Sequence, residues 1–250
     1  MRYFIHLSYD GTNYAGWQSQ PNAIGVQSVI EDRLNTILNR QIKLTGCGRT
    51  DAGVHASDFY AHFDCEKILP ENLVFRLNNF LPSDISIYSF TSVKDDAHVR
   101  FDAIQRSYIY HIHFIKDPFK KLYSFYYQKA RHIGVEVLNE FTQRLLDYSD
   151  FKPFSKLHTD VKTFRCNLNT CHWTSTKNGM ELHVTSDRFL RGMIRLITGA
   201  SLYYAEGKIT IDELDQAMQS QQRLQKNWSV PACGLFLSEI VYPESIVLNP

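Results

Sequence analysis

The stretch RSYIYHIHFI, Arg106 to Ile115, reads as the longest strand of the chain, and its two faces decide the architecture around it. Successive side chains of a strand point to opposite sides, so Arg106, Tyr108, Tyr110, Ile112 and Phe114 share one face. Ile109, His111, His113 and Ile115 share the other. Apolar groups on both faces mark a strand that is covered on both sides, and therefore a central one.

Toward the N-terminus, Tyr3, Ile5, Leu7 and Tyr9 alternate with Arg2, His6 and Ser8, the period of an opening strand. YDGTNYAGWQSQPNAIG, residues 9 to 25, is loop-like, and Val26, Ile30, Leu34, Ile37 and Leu38 recur at helical spacing. A short strand is expected at Ile42 to Leu44, then the glycine-rich TGCGRTDAGVHAS, then the alternating SDFYAHFDC. Leu73, Leu77 and Phe80 mark a second helix that stops near Pro82, and DISIYSF follows as a strand. Toward the C-terminus a helix is expected through Leu138, Phe141 and Leu145, and strands near Asn167 to Trp173 and Met180 to Val184. Asn178-Gly179 in the turn between them is the strongest short hairpin signal. Arg188 to Ala200 reads as a mostly apolar helix, Thr210 with Glu213 as a capping box opening another, and GLFLSEIVY as a last strand. The pattern is α+β: two similar halves, residues 1–103 and 104–250, each a mainly antiparallel sheet with helices packed on it. A ligand cleft between two such halves is a common arrangement.

The 250 residues are 44% hydrophobic and 21% charged, the composition of a globular protein rather than of a disordered or fibrous one. No run of some 18 apolar residues occurs, and MRYFIHLSYD starts directly with strand-like residues. A membrane span and a signal peptide are thus not expected, and the cytosol is the default compartment. Five cysteines without a CxxC pair make a poor disulfide framework. Cys166, Cys171 and His172 lack the paired spacing and the fourth ligand of a structural zinc site, and His111, His113 and His158 have no metal-ligand spacing, so no metal is expected. With a formal net charge of +1, binding to a nucleic acid would require the basic residues to be gathered on one surface.

Gly46, Gly48 and Gly53 bracket Arg49, Thr50 and Asp51, and glycine at that density frees the backbone for unusual conformations and for close approach of a ligand. By itself this fits an ordinary glycine turn with a surface aspartate. The whole string GRTDAGVHA, Gly48 to Ala56, resembles the signature of the TruA family of tRNA pseudouridine synthases. YDGTNYAGWQSQPN with VQSVIE is similar to the family's opening, RFDAIQRSYIY to its second motif, FLRGMIRLITG to its third, and PACGLFLSEIVYP to its C-terminal strand. All arrive in the family's order. The sequence departs from the pattern at Asp102, where a small residue is usual, and at Ala205-Glu206, where a glycine-containing stretch is commoner; both departures concern local backbone geometry.

The resemblance implies an isomerase. Uridine becomes pseudouridine when the bond from the ribose to N1 breaks and one to C5 forms, with no atom entering from outside, so no cofactor is needed. The chemistry wants a carboxylate beside the sugar, a dry pocket for the detached base and a base for the C5 proton. The target nucleotide has to be flipped out to reach them. By the resemblance, Asp51 is the catalytic group, acting either as a nucleophile or as a base that yields a glycal. Arg49 is the arginine that helps displace the nucleotide, Tyr108 the aromatic that stacks on uracil, and Leu235 an apolar wall for it. His55 reads as a hydrogen bonder that fixes the loop, and Tyr110 as structural.

Arg195 stands out on physical grounds as well, since it lies within MIRLI, where a solvated guanidinium is out of place. An unpaired buried charge costs several kcal/mol or more, so a carboxylate partner is expected, and Asp51 is the candidate. Arg188 and Arg191 fall three and four residues apart from it in series, as a basic ridge on the same expected helix. The resemblance further implies tRNA as partner, uridines 38 to 40 of the anticodon stem-loop as targets, and a homodimer in the cytoplasm, without membrane contact. Two alternatives stay open: a pseudouridine synthase with other RNA targets, and a non-catalytic RNA-binding protein or chaperone on the same scaffold.

Overall fold

In chain order the elements are β1 (Arg2–Tyr9), α1 (Val26–Leu38), β2 (Thr45–Gly46), β3 (His55–Asp64), α2 (Leu73–Phe80), β4 (Ile85–Val93), β5 (Gln105–His113), β6 (Phe125–Tyr126), α3 (Val135–Arg144), β7 (Leu168–Thr176), β8 (Gly179–Ser186), α4 (Met193–Ala205), α5 (Ile211–Ser220) and β9 (Leu235–Val241). They come from a computed structural model that describes residues 1–156 and 161–248; His158 lies outside the described residues. The fold is α+β, with strands paired mostly antiparallel. The chain forms two compact units, Met1–Arg106 with Phe236–Pro250, and Ser107–Leu235.

In the first unit the strands run in the order β4-β1-β3-β9, with β2 also on β3. β1 is antiparallel to β3 and β4, whereas β9 joins β3 in parallel, pairing His55 with Phe236 and Ala56 with Leu237. The four-residue spacing of Val26, Ile30 and Leu34 puts all three on one buried face of α1, where each is 0% exposed. A strand does not form at Ile42 to Leu44. Side chains of α1 take the amides that a partner strand would take: Asn35 Oδ1 accepts from Ile42 N at 2.6 Å and Glu31 Oε1 from Leu44 N at 2.8 Å. The pairing with β3 therefore starts three residues later, at Thr45 opposite His62.

In the second unit the order is β5-β8-β7, with β6 parallel to β5. α3 lies against β7, where the Asn139 side chain accepts from Trp173 N at 2.6 Å and donates to Trp173 O at 3.0 Å. The β7–β8 hairpin forms, but its two turn residues are Lys177 and Asn178, with Gly179 already paired to Thr176. Gly179 is not among the residues of positive φ. Its lack of a side chain serves another purpose, since a Cβ there would stand 2.0 Å from the carbonyl oxygen of Ile112 on β5.

The apolar helix begins later than its pattern announces. Gly192 has φ 74°, the Lys156 amide donates to the Arg191 carbonyl at 3.1 Å, and α4 starts only at Met193. Arg188 and Arg191 thus precede the helix, and the expected ridge with Arg195 does not exist. Thr210 does open α5 with a complete capping box, its hydroxyl accepting from Glu213 N and its own amide donating to the Glu213 carboxylate. Asp102, one of the departures from the family pattern, closes its own turn by accepting from His98 N at 2.7 Å. Glu206, the other, caps the end of α4, where it accepts from the Tyr127 hydroxyl and pairs with Lys208. No helix among the described residues is long and apolar enough to cross a membrane.

One buried group gives the first unit a pH dependence. His62 on β3 is 6% exposed and its Nδ1 accepts from Val99 N at 3.1 Å. Burial first, then the Arg2 charge and that of His98, push its pKa down to about 4. The unfolded chain takes up the proton near pH 6.5 and the folded one resists it, so stability present above about pH 6.5 is lost as pH falls toward 4. Urea unfolding at pH 7 and pH 4.5 is expected to show a larger drop for the wild type than for His62→Gln, by about 1–3 kcal/mol. Equal drops would exclude His62 as the source.

Candidate active site

Two sequence motifs some thirty residues apart build the loop that carries Asp51. The Thr50 hydroxyl accepts from Trp17 N at 3.0 Å and shares a hydrogen bond with the Tyr9 hydroxyl at 2.9 Å. Gly16 has φ +92°, and a Cβ on it would stand 2.1 Å from the Thr50 carbonyl oxygen, so the conformation and the contact both demand glycine. On the far side of Asp51, Val54 N donates to the Asp51 carbonyl at 3.2 Å and Gly53 N to the Tyr14 carbonyl at 3.3 Å. The residues before and after Asp51 are therefore held by the same segment, Tyr9 to Trp17. Asp51 itself is half-buried.

The supports of that segment are buried. Trp17 is 2% exposed and stacks on Phe59 of β3 at 4.2 Å, and its indole occupies the place that a side chain on Gly46 would need. His55 is 1% exposed, with Nδ1 3.1 Å from Gly11 N and 3.0 Å from Asp10 Oδ1, and its ring stacks on Phe236 at 4.5 Å. It fixes the loop, as expected from sequence. Cys47 precedes the motif. Burial pushes its thiol up to about 12, which leaves no thiolate for chemistry near neutral pH.

Arg106 is a support that the sequence did not announce. Its guanidinium donates to three main-chain carbonyls, Arg100 at 2.6 Å, Cys47 at 3.2 Å and Ala103 at 3.2 Å. The start of the Asp51 loop is thereby tied to the turn that ends the first unit. Arg49, in contrast, is exposed, and no hydrogen bond or ion pair joins its side chain to the described residues. Gly48 beside it has open space where a side chain would be, with nothing within 4 Å.

In the second unit, Tyr108 and Tyr110 lie two apart on β5. Tyr110 is fully buried and donates to the Pro231 carbonyl at 2.7 Å, a structural role. Tyr108 is half-buried and meets the edge of Phe189 at a centroid distance of 5.2 Å. Arg195 on α4 is half-buried too; its Nε donates to the Val230 carbonyl at 2.6 Å, while Val230 N donates back to the Arg195 carbonyl at 3.3 Å. A guanidinium amid apolar residues is thus partly solvated by main chain. Leu235, 6% exposed, follows the short 3-10 turn Ala232–Gly234 and opens β9. Arg195 and Tyr110 together hold Val230 and Pro231, so Leu235 sits at the end of a segment fixed at its beginning. Among the described residues no three His, Cys, Asp or Glu side chains are grouped so as to hold a metal ion.

The profile of the tRNA pseudouridine synthase family matches residues 6–102 and 142–243, and the chain belongs to that family. It is 44% identical to tRNA pseudouridine synthase A of Bacteroides thetaiotaomicron over 249 residues, 98% of this chain and 92% of the relative. The corresponding enzyme of Parabacteroides distasonis is 42% identical over 98% of this chain and 97% of its own. That of Aquifex aeolicus is 32% identical over 96% and 98%. The residues matched by the profile include the Asp51 loop, the α4 motif and β9, whereas Tyr108 falls between its two matched stretches.

Thr50→Val removes the hydroxyl while keeping the side-chain volume, and strands the buried Trp17 amide. Its unfolding free energy is expected to fall by about 1–3 kcal/mol, the cost of an unsatisfied buried donor. Thr50→Ser, which keeps the hydroxyl, should lose clearly less in the same urea titration; an equal loss would assign the effect to packing alone.

Proposed function

We propose that this chain isomerises uridine to pseudouridine in tRNA at positions 38 to 40 of the anticodon stem-loop, with Asp51 as the catalytic residue. The observation that carries this reading is the Asp51 loop itself: GRTDAGVHA is present without interruption, and the main chain on both sides of Asp51 is clamped by Tyr9 to Trp17. Such preorganisation holds a carboxylate at one position while a nucleotide is brought to it. Three relatives with aligned lengths above nine-tenths of the chain carry the name tRNA pseudouridine synthase A.

In this proposal the ribose–N1 bond breaks, the uracil turns, C5 bonds to the ribose, C5 gives up its proton and N1 gains one. Asp51 serves ionised, whether it attacks as a nucleophile or removes a sugar proton. Arg195, anchored through Nε to the Val230 carbonyl, supplies an oriented positive charge to the reaction. Tyr108 stacks on the base, Leu235 walls it, and the free Arg49 side chain engages the RNA as the target nucleotide flips. We further infer a homodimer, whose two copies join basic surfaces of a chain with net charge +1, and a cytoplasmic location, which fits five free cysteines.

Incubation of the purified protein with unmodified tRNA, followed by mapping of modified uridines, is expected to show pseudouridine at 38 to 40. Conversion elsewhere alone would reassign the target, and no conversion would contradict the activity. Asp51→Ala should fold, bind tRNA and form product at least about a thousandfold more slowly. Arg195→Met should lower single-turnover rate far more than affinity; matched losses in both would make it a phosphate contact instead.

A further inference from the structure

Between Ile115 and His132 the chain carries five basic residues, Lys116, Lys120, Lys121, Lys129 and Arg131, against one acidic residue, Asp117. Because the whole chain is only +1, the remainder is net negative, and this short stretch of the second unit concentrates the positive charge. All five basic side chains are exposed, and none has a hydrogen bond or ion pair to the described residues. Some cations elsewhere are paired, as Arg2 is with Asp64, Arg144 with Asp215 and Lys208 with Glu206. Asp117 offsets one of these five charges, and its carboxylate accepts from Phe119 N at 2.9 Å to shape the turn.

The stretch also displays an aromatic ring. Phe119 is 90% exposed, with no ring contact among the described residues, an arrangement that water penalises and a partner would relieve. The base beneath is ordered. β6 pairs with β5, Ser124 is buried and bonded to His113 Nδ1 at 2.9 Å, and Ala130 is 0% exposed on the inner side of the 3-10 turn Gln128–His132. Unpaired cations in one short stretch with an exposed ring, on an ordered base, are the elements of a surface that holds phosphates and stacks a base.

We propose that residues 116–132 form an RNA-holding surface, in which the lysines and Arg131 contact phosphates and Phe119 stacks on a nucleobase. It rests on the reading of tRNA as substrate and concerns holding of the RNA, apart from the residues assigned to the reaction. A second copy of this chain is the competing occupant. The concentration of one charge sign argues against it, because an interface between identical copies would set these cations against each other whenever the patch met itself.

The test compares the wild type with Lys120→Gln/Lys121→Gln/Arg131→Gln and with Phe119→Ala, measuring affinity for unmodified tRNA from 50 to 200 mM KCl. The triple variant is expected to bind roughly tenfold or more weakly, with the slope of log affinity against log salt reduced by about two to three, each lost phosphate contact removing about 0.7–0.9. Phe119→Ala should bind at least about fivefold more weakly, the effect of losing one stacked base. Thermal midpoints and single-turnover rates at saturating tRNA should stay at wild-type values. Unchanged affinity and salt slope in both variants would overturn the proposal, as would a change of sedimentation by Phe119→Ala without loss of tRNA affinity. A wild type that binds tRNA with these dependences but forms no pseudouridine would sink the catalytic reading and leave this surface standing.

Discussion

The contact between the backbone of Gly16 and that of Thr50 is the constraint from which the rest of the first unit's site follows. A Cβ at Gly16 would lie 2.1 Å from the Thr50 carbonyl, so the two chains pass as closely as backbones can. The closeness lets the Thr50 hydroxyl reach Trp17 N, lets Tyr14 take the Gly53 amide, and leaves Asp51 between two fixed neighbours. In the proposed reaction a single carboxylate would gain from this placement, because misplacement by an ångström already costs rate. The aromatic stack of Trp17 on Phe59 and the buried His55 transmit the rigidity of β3 to the loop.

The second unit uses main chain for the same purpose. Arg195 and Tyr110 both donate to consecutive carbonyls, Val230 and Pro231, and thereby set the path into Leu235. A guanidinium bonded to a carbonyl through Nε is oriented before any ligand arrives. Orientation of a charge in advance is what makes it useful to a reaction, since no reorganisation remains to be done.

Local pattern revealed much of this fold. The alternation of Tyr3, Ile5, Leu7 and Tyr9, the four-residue spacing of Val26, Ile30 and Leu34, and the Thr210–Glu213 box each have a period or offset of their own, and each formed as expected. What escaped was decided by distant contacts. Side chains of α1 outcompeted a strand at Ile42 to Leu44; a carbonyl of β5 required Gly179; and a turn at Arg191-Gly192 delayed α4. The parallel return of β9 to β3 spans 180 residues and has no local signal. At the candidate site, Asp51 and Arg49 were visible through an uninterrupted string. Thr50 and Arg106 carry no such signal, because the contacts that make them supports of the loop, with Trp17 and Cys47, lie 33 and 59 positions away in sequence.

The Asp51 loop is held as one body with the Tyr9 to Trp17 segment. Amide hydrogen exchange at Trp17, Gly53 and Val54 in the ligand-free protein tests it most directly. Protection close to that of the β3 core amides is predicted, since these bonds break only when the unit opens. Exchange at those three amides as rapid as that of exposed loop amides would contradict it.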